Sequence, residues 1–204
     1  MLFLTFFGNA QNEGYVKYHI SVKAMDSSAR TLQSVSMLRG SKMELYFAGN
    51  RARVDFKMGE MYTSRMIFDG EKDSLLTLSE SPFGNFYYQS VIEKTKDSMH
   101  EDSDQVELIK TSEQKKILGF NCNKQILIQQ GDTAIYWCTD EIKTDIGSTS
   151  ISNPHVDGFP LEFSRNNENV FMSYKASNYR EQVAKKEEVF LLTIPAGYKP
   201  VPQD

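Results

Sequence analysis

Lys116–Ile142 reads KILGFNCNKQILIQQGDTAIYWCTDEI. This stretch holds both cysteines of the chain, Cys122 and Cys138, and its single tryptophan, Trp137. Each half is rich in Ile, Leu, Tyr and Trp, and the polar run Gln129-Gln130-Gly131 divides them, which is the pattern of a β-hairpin. A three-residue loop ending in a left-handed Gly131 pairs Ile128 with Asp132, because glycine has no Cβ to penalise that conformation. Counting outward sets Ile126 against Ala134, Lys124 against Tyr136, and Cys122 against Cys138. Directly opposed residues bring their Cβ atoms to about 4.5–5.5 Å, and the closer, non-hydrogen-bonded pairs approach disulfide geometry. The expectation is a Cys122–Cys138 disulfide, closing a loop worth about 3 kcal/mol in chain entropy. The competing reading is two buried free thiols.

The rest of the chain sets the class. Its 204 residues are enough for one domain with a sizeable core. A formal charge of −4 and the lack of any basic stripe or RNA-binding motif argue against a nucleic-acid partner. Hydrophobic residues make up 40%, with ten Tyr and thirteen Phe, a globular and β-leaning composition. No apolar run approaches the length of about 18 residues that a membrane-spanning helix needs.

The first ten residues, MLFLTFFGNA, resemble the tail of a secretory signal: Leu2–Phe7 is apolar, and Gly8-Asn9-Ala10 supplies small residues where a signal peptidase reads. Cleavage there leaves Gln11 first. The alternative is a first strand made from LFLTFF. No cysteine lies near the cut, so the mature chain carries no N-terminal lipid of its own. The expected organisation is a residual signal over 1–10 and one β domain over 11–204, in the periplasm or secreted, where a disulfide can persist.

Tyr15–Met25 alternates, with Val16, Tyr18, Ile20, Val22 and Ala24 on one face and Lys17, His19, Ser21 and Lys23 on the other. Ser27–Gly40 changes period and reads as a short amphipathic helix capped by Ser28, with Ala29, Leu32, Val35 and Leu38 inward. Ser41–Met58 is a hairpin with two competing registers. A two-residue Gly49-Asn50 turn pairs Phe47 with Ala52, Leu45 with Val54 and Met43 with Phe56, and gathers the apolar residues on one face; a three-residue loop scatters them. Tyr62–Phe68 and Asp73–Leu78 form a third hairpin, and Asn85–Ile92 a further, aromatic strand. The charged stretch 93–105, with His100, reads as solvated. Val106–Lys110 resumes strand. Thr144–Pro154 is a polar connection, and Phe159–Phe163 with Val170–Ala176 makes a fourth hairpin. Glu181–Glu188 reads as a helical turn, followed by an apolar segment, 189–194, that Pro195 ends.

Few residues suggest catalysis. There is no G-x-S-x-G, no P-loop, no H-E-x-x-H and no C-x-x-C. His19, His100 and His155 sit apart, and the spacing asks for no metal and no cofactor. Roughly ten strands with one apolar face must curl to hide it, giving a curved antiparallel sheet or half-open barrel, mainly β, with one or two short helices on its concave face. An incompletely filled concavity in an exported protein suits an acyl chain, which gains about 0.8 kcal/mol per buried CH₂. The candidate lipid-binding residues are Leu32 and Val35 on the helix, with Met43, Leu45, Phe47, Phe56, Met66, Phe68 and Trp137. An enzyme would instead need a polar cluster such as His155, Asp157 and Glu162.

Several stretches carry a family resemblance. Met43–Phe56, with Gly49-Asn50 and Arg53-Val54, resembles an "xGxxxR" hairpin. Ile117–Lys124 is similar to "I-x-G-[YF]-x-C-x-K", and Trp137–Ile142 to "W-[YC]-T-x-E-I". Gly158–Phe163 is similar to the segment that names the GLPGLI group, with Phe159 in place of Leu and no second Gly. Val189–Lys199 is similar to a closing "F-x-x-P-A-G-Y". These resemble uncharacterised secreted domains of Gram-negative bacteria that share the fold of the lipoprotein carriers LolA and LolB. The resemblance implies a half-open periplasmic β-barrel plugged by helices, with lipid or lipoprotein acyl chains as ligand. The expected protein is a non-enzymatic, monomeric binder of such a chain. The rival is an envelope protein-interaction module whose core is filled by its own side chains.

Overall fold

The computed structural model describes residues 12–91, 106–129, 131–144, 153, 155–167 and 169–202. The expected signal remnant, the stretch 93–105 with His100, and residues 145–152 of the polar connection lie outside them.

Strand β1, Glu13–Ala24, keeps its period of two, burying Val16, Tyr18 and Ile20 while His19 and Ser21 face water. Helix α1, Ala29–Leu38, starts where Ser28 caps it, the Ser28 Oγ accepting from the Thr31 N–H at 3.2 Å. β2, Lys42–Ala48, and β3, Arg51–Met58, take the two-residue Gly49-Asn50 turn and the expected pairs Phe47–Ala52, Leu45–Val54 and Met43–Phe56. β4, Tyr62–Asp69, β5, Ser74–Ser81, and β6, Gly84–Val91, extend this first meander. A second meander runs through β7, Val106–Ile117, β8, Phe120–Gln129, β9, Asp132–Thr139, β10, Phe159–Asn167, and β11, Val170–Arg180. A helical turn, α2, Lys186–Val189, and a two-residue β12, Lys199–Pro200, follow.

The twelve strands among the described residues form one sheet, in the order β12-β6-β5-β4-β3-β2-β1-β11-β10-β9-β8-β7. Pairing is antiparallel throughout except that β12 lies parallel to β6. The sheet is strongly curved and does not close. Adjacent strands are about 4.8 Å apart, so three spacings span about 14 Å on a flat sheet. Yet the rings of Phe47 on β2 and Phe159 on β10, three spacings apart, are 5.4 Å from centre to centre. Phe120 on β8 and Tyr179 on β11, also three spacings apart, are at 4.9 Å. The face carrying these residues is therefore concave, and it holds the core: Val16, Tyr18, Leu45, Phe47, Leu161 and Tyr174 are each at most 1% exposed. At its centre the Tyr18 hydroxyl donates to the Pro160 carbonyl at 2.8 Å.

The chain after β11 crosses the outer face as a strap. The Val183 N–H donates to Glu13 at 2.8 Å, Arg51 lies over the Phe190 ring at 5.1 Å, and Leu192, Ile194 and Tyr198 cover Ile67, Leu76 and Leu78. The apolar segment 189–194 is thus a cover for β4–β6.

The cysteine hairpin forms with a register one residue away from that expected. Gly131 is left-handed, with φ 82, but the strand pairing runs one residue closer to the turn than expected. Gln129 then pairs with Asp132, Ile126 with Ile135, and Cys138 with Asn123 instead of Cys122. A two-residue loop matches the twist of the flanking strands better than a longer one. A second such turn, Leu118-Gly119 with φ 52 and 93, starts β8 at Phe120 and makes Lys116 and Ile117 the end of β7. The expected disulfide is absent: Cys122 and Cys138 are both free and buried. Cys122 and Gln125, three residues apart, are both buried, so alternation along β8 breaks at Asn123-Lys124, next to a register shift in β7 between Lys110 and Gln114. Both thiols thereby point into the core without being cross-strand partners. Burial pushes the Cys122 thiol up to about 11. Burial, and then the neighbouring Cys122, push Cys138 up to about 12.

A Cβ added at Gly14 would stand 2.7 Å from Phe47 Cζ and 3.1 Å from the Arg180 carbonyl oxygen. Gly14→Ala should lower stability by about 1–3 kcal/mol, and Phe47→Leu in the same chain should recover part of the gap between urea midpoints. The reduced protein at pH 8 should resist a thiol reagent until it unfolds, because thiolate is the reactive form. An unfolded thiol ionises at about pH 8.5, below either folded value, so stability should fall as pH rises from there toward 11 to 12. A Cys122→Ala/Cys138→Ala chain should lose less stability over that range in urea titrations.

Candidate functional site

Away from β1 the concave face opens. Three rows of directly paired residues cross β2 to β6: Met43–Phe56–Ser64–Ser79–Phe86, Leu45–Val54–Met66–Thr77–Tyr88, and Phe47–Ala52–Phe68–Leu75–Ser90. Paired residues share a face of the sheet. Each row begins in the closed core and ends near water. Met43, Leu45 and Phe47 are at most 6% exposed, Phe56, Met66, Phe68 and Phe86 are half-buried, and Tyr88 is 49% exposed. Ser64, Thr77, Ser79 and Ser90 place hydroxyl side chains among the apolar groups on β4–β6. At one end, α1 is tied to the β3–β4 turn: the Ser41 Oγ donates to the Leu38 carbonyl at 2.6 Å and accepts from the Gly59 N–H at 3.3 Å.

The residues expected to bind lipid separate accordingly. Phe56, Met66 and Phe68 share the half-open surface. Met43, Leu45 and Phe47 lie in the buried core beside β1, whereas Phe56, Met66 and Phe68 pack half-buried against it. Val35 packs on the core from α1, whereas Leu32 is 53% exposed. Trp137 lies on the far side of β1, on β9. Its neighbours Tyr136 and Cys138 take the buried positions, and its ring carries Lys115 at 4.1 Å and Lys124 at 6.0 Å. Phe86 and Tyr88 were missed as candidates. Their alternation with Asn85, Tyr87 and Gln89 is visible in the sequence, but which face is open depends on where the core ends.

A second concavity is polar and lies at the other end of the sheet, where β7, β8 and β9 meet the 155–158 loop. It measures about 560 Å³ and is lined by Lys110, Lys124, Gln125, Cys138, Asp140 and Asp157 among others. Lys110 forms an ion pair with Asp157. The trio His155, Asp157 and Glu162 does not converge: Glu162 accepts from Lys115 at 2.7 Å and faces Lys175 at 3.8 Å, while Asp157 faces Lys110. Among the described residues, no group of three or more His, Cys, Asp or Glu side chains is arranged to hold a metal ion.

Comparison with solved structures finds likeness at low identity. Two crystal forms of PNGF-II match with TM-scores of 0.51 and 0.53 at 12% and 13% identity, over 93% and 95% of this chain. The chain spans about a third of PNGF-II, 31% and 32% of its length, and the likeness is one of fold. The LolA superfamily protein NE2245 from Nitrosomonas europaea aligns over 89% of this chain and 91% of its own, at 7% identity and a TM-score of 0.25. No curated protein matches by sequence. Residues 31–147, from within α1 through the end of β9, match the family described as a domain of unknown function (DUF4412), and the chain belongs to that family.

Proposed function

We propose that this protein is a non-enzymatic binder of an apolar chain, the acyl chain of a lipid or lipoprotein, held along the open half of the concave face. The observation that carries this reading is the gradient along the three rows, from sealed core on β2 and at Ala52 and Val54 on β3 to half-buried apolar residues at Phe56 and on β4–β6. A partly covered apolar strip bordered by hydroxyls suits a ligand that is apolar along its length and polar at one end. Met66 adds a side chain that adjusts to different chain shapes. Each methylene buried there contributes about 0.8 kcal/mol, so a chain of moderate length suffices for stable binding. The apolar residues 2–7 and the small residues 8–10 support export to the periplasm as the setting.

A second reading rests on a different observation. Phe83 and Val91, at the two ends of β6, are 88% and 72% exposed. With the core filled beneath Met43, Leu45 and Phe47, these ends suit a protein partner in the envelope.

Two measurements separate these readings. Protein purified from its native envelope should carry lipid detectable by native mass spectrometry, and delipidated protein should take up a fluorescent fatty acid. Tyr88→Glu, placed at the exposed end of a row, should weaken that uptake about tenfold, or about 1.4 kcal/mol, while leaving the urea midpoint in place. A lipid-free protein that takes up no fatty acid, or a Tyr88→Glu chain that binds as the parent does, would overturn the acyl-chain reading.

A further inference from the structure

Three of the sequence stretches set apart by resemblance, 117–124, 137–142 and 158–163, meet at one place that the acyl-chain reading does not use. Asn123 and Lys124 from the first, Cys138 and Asp140 from the second and Gly158 from the third all line the polar cavity of about 560 Å³. It lies across β1 from the open rows, at the opposite end of the strand order. Sites for small ligands occupy roughly 300–1,000 Å³.

The walls of this cavity are built by specific contacts. Gln125, 5% exposed, clamps the loop: its Nε2 donates to the Asp157 carbonyl at 2.7 Å, and its Oε1 accepts the Asp157 N–H at 3.0 Å. Gly158 has φ 80, and a Cβ there would meet the Thr139 carbonyl oxygen at 2.9 Å and Asp140 Oδ1 at 3.1 Å. Only glycine lets the loop lie this close to the end of β9. On the other side, the register shift between Lys110 and Gln114 interrupts the pairing of β7 with β8, and the Thr111 hydroxyl donates to the Lys124 carbonyl at 3.2 Å. Bulges of this kind are over-represented beside functional sites.

The charges are balanced, two lysines against two aspartates. Lys124 is already engaged, its Nζ donating to Glu113 at 2.6 Å. Lys110 and Asp157 are paired to each other, but their side chains are 68% and 61% exposed, and such a surface pair contributes only about 0–1 kcal/mol. Asp140 stands close enough for its charge to act on Lys110, without closing an ion pair with it. An incoming anion alone would take Lys110 and leave two carboxylates facing it. An incoming cation alone would take the aspartates and strip Lys110 of its partner. A molecule carrying both charges a few ångströms apart meets neither penalty.

We propose that this cavity binds a small zwitterion, its ammonium between Asp140 and Asp157 and its carboxylate or phosphate on Lys110. The same chemistry has two sources, a free amino acid or short peptide, and the ethanolamine-phosphate headgroup of a lipid. Amide shifts of the isotope-labelled full chain can be followed during titration with glycylglycine and, separately, phosphoethanolamine; acetate and methylamine serve as single-charge probes. At least one zwitterion should shift the Asn123, Gln125, Asp140 and Gly158 amides at tenfold or more lower concentration than either single-charge probe, and the stronger of the two identifies the source. Asp140→Asn and Lys110→Gln alter exposed side chains and should each weaken that binding tenfold or more, with fatty-acid uptake unchanged. The proposal is overturned if neither zwitterion shifts these amides, if acetate or methylamine does as well, or if both variants bind as the parent does.

Discussion

The structure depends on one strand being paired on both sides. β1 joins β2 along one edge and β11 along the other, from Tyr15–Arg180 to Ala24–Val170. Without it, β2–β6 and β7–β11 are two separate meanders, each with an apolar face and nothing to bury it against. With it, they become one sheet whose curvature brings side chains three strands apart into ring contact. Tyr18 makes the dependence concrete. It sits on β1, reaches across to the Pro160 carbonyl on β10, and packs edge-on against Phe163 at 5.9 Å. The match to the family of unknown function ends at residue 147 and begins inside α1, so it leaves out β1, β10 and β11, the strands that make the sheet continuous.

The gradient across the concave face follows from the same arrangement. Rows near β1 are covered from both meanders and from α1, and they close. Among the described residues, rows on β4–β6 receive no such cover on that side. Their outer face is sealed instead by the strap, through Leu192, Ile194 and Tyr198. Apolar residues therefore occupy both faces of β4 and β5, buried on the outer side and half-open on the inner. Such a double-sided strand is unusual for an antiparallel sheet with one wet face. Here it is what leaves an apolar surface available.

Much of this was legible in local pattern. Alternation in β1, the Ser28 cap and the Gly49-Asn50 turn each rest on a few adjacent residues, and each appears as expected. The cysteine hairpin was legible as a hairpin but not in register, because Gln130-Gly131 and Gln129-Gln130-Gly131 are both acceptable loops and differ by one residue. The break in alternation at Asn123-Lys124 had no local signal, since it answers to a bulge in the neighbouring strand. Site residues were harder still. Met43 and Met66 look alike in sequence, and only their distance from β1 makes one fully buried and the other half-buried at the edge of the core. The polar cavity draws on residues from 110 to 158, which no window along the chain connects.

The join between β1 and β11 also orders events in time. About 145 residues separate the ends of β1 and β11, Ala24 and Val170, and pairings between residues so distant in sequence are slow to form. β1 can lie against β2 early, but its other edge stays unsatisfied until the last long strand has been made. A chain released part-way exposes that edge and the apolar row of Val16, Tyr18 and Ile20. Completing this sheet therefore waits on β11, the strand that covers the second edge of β1.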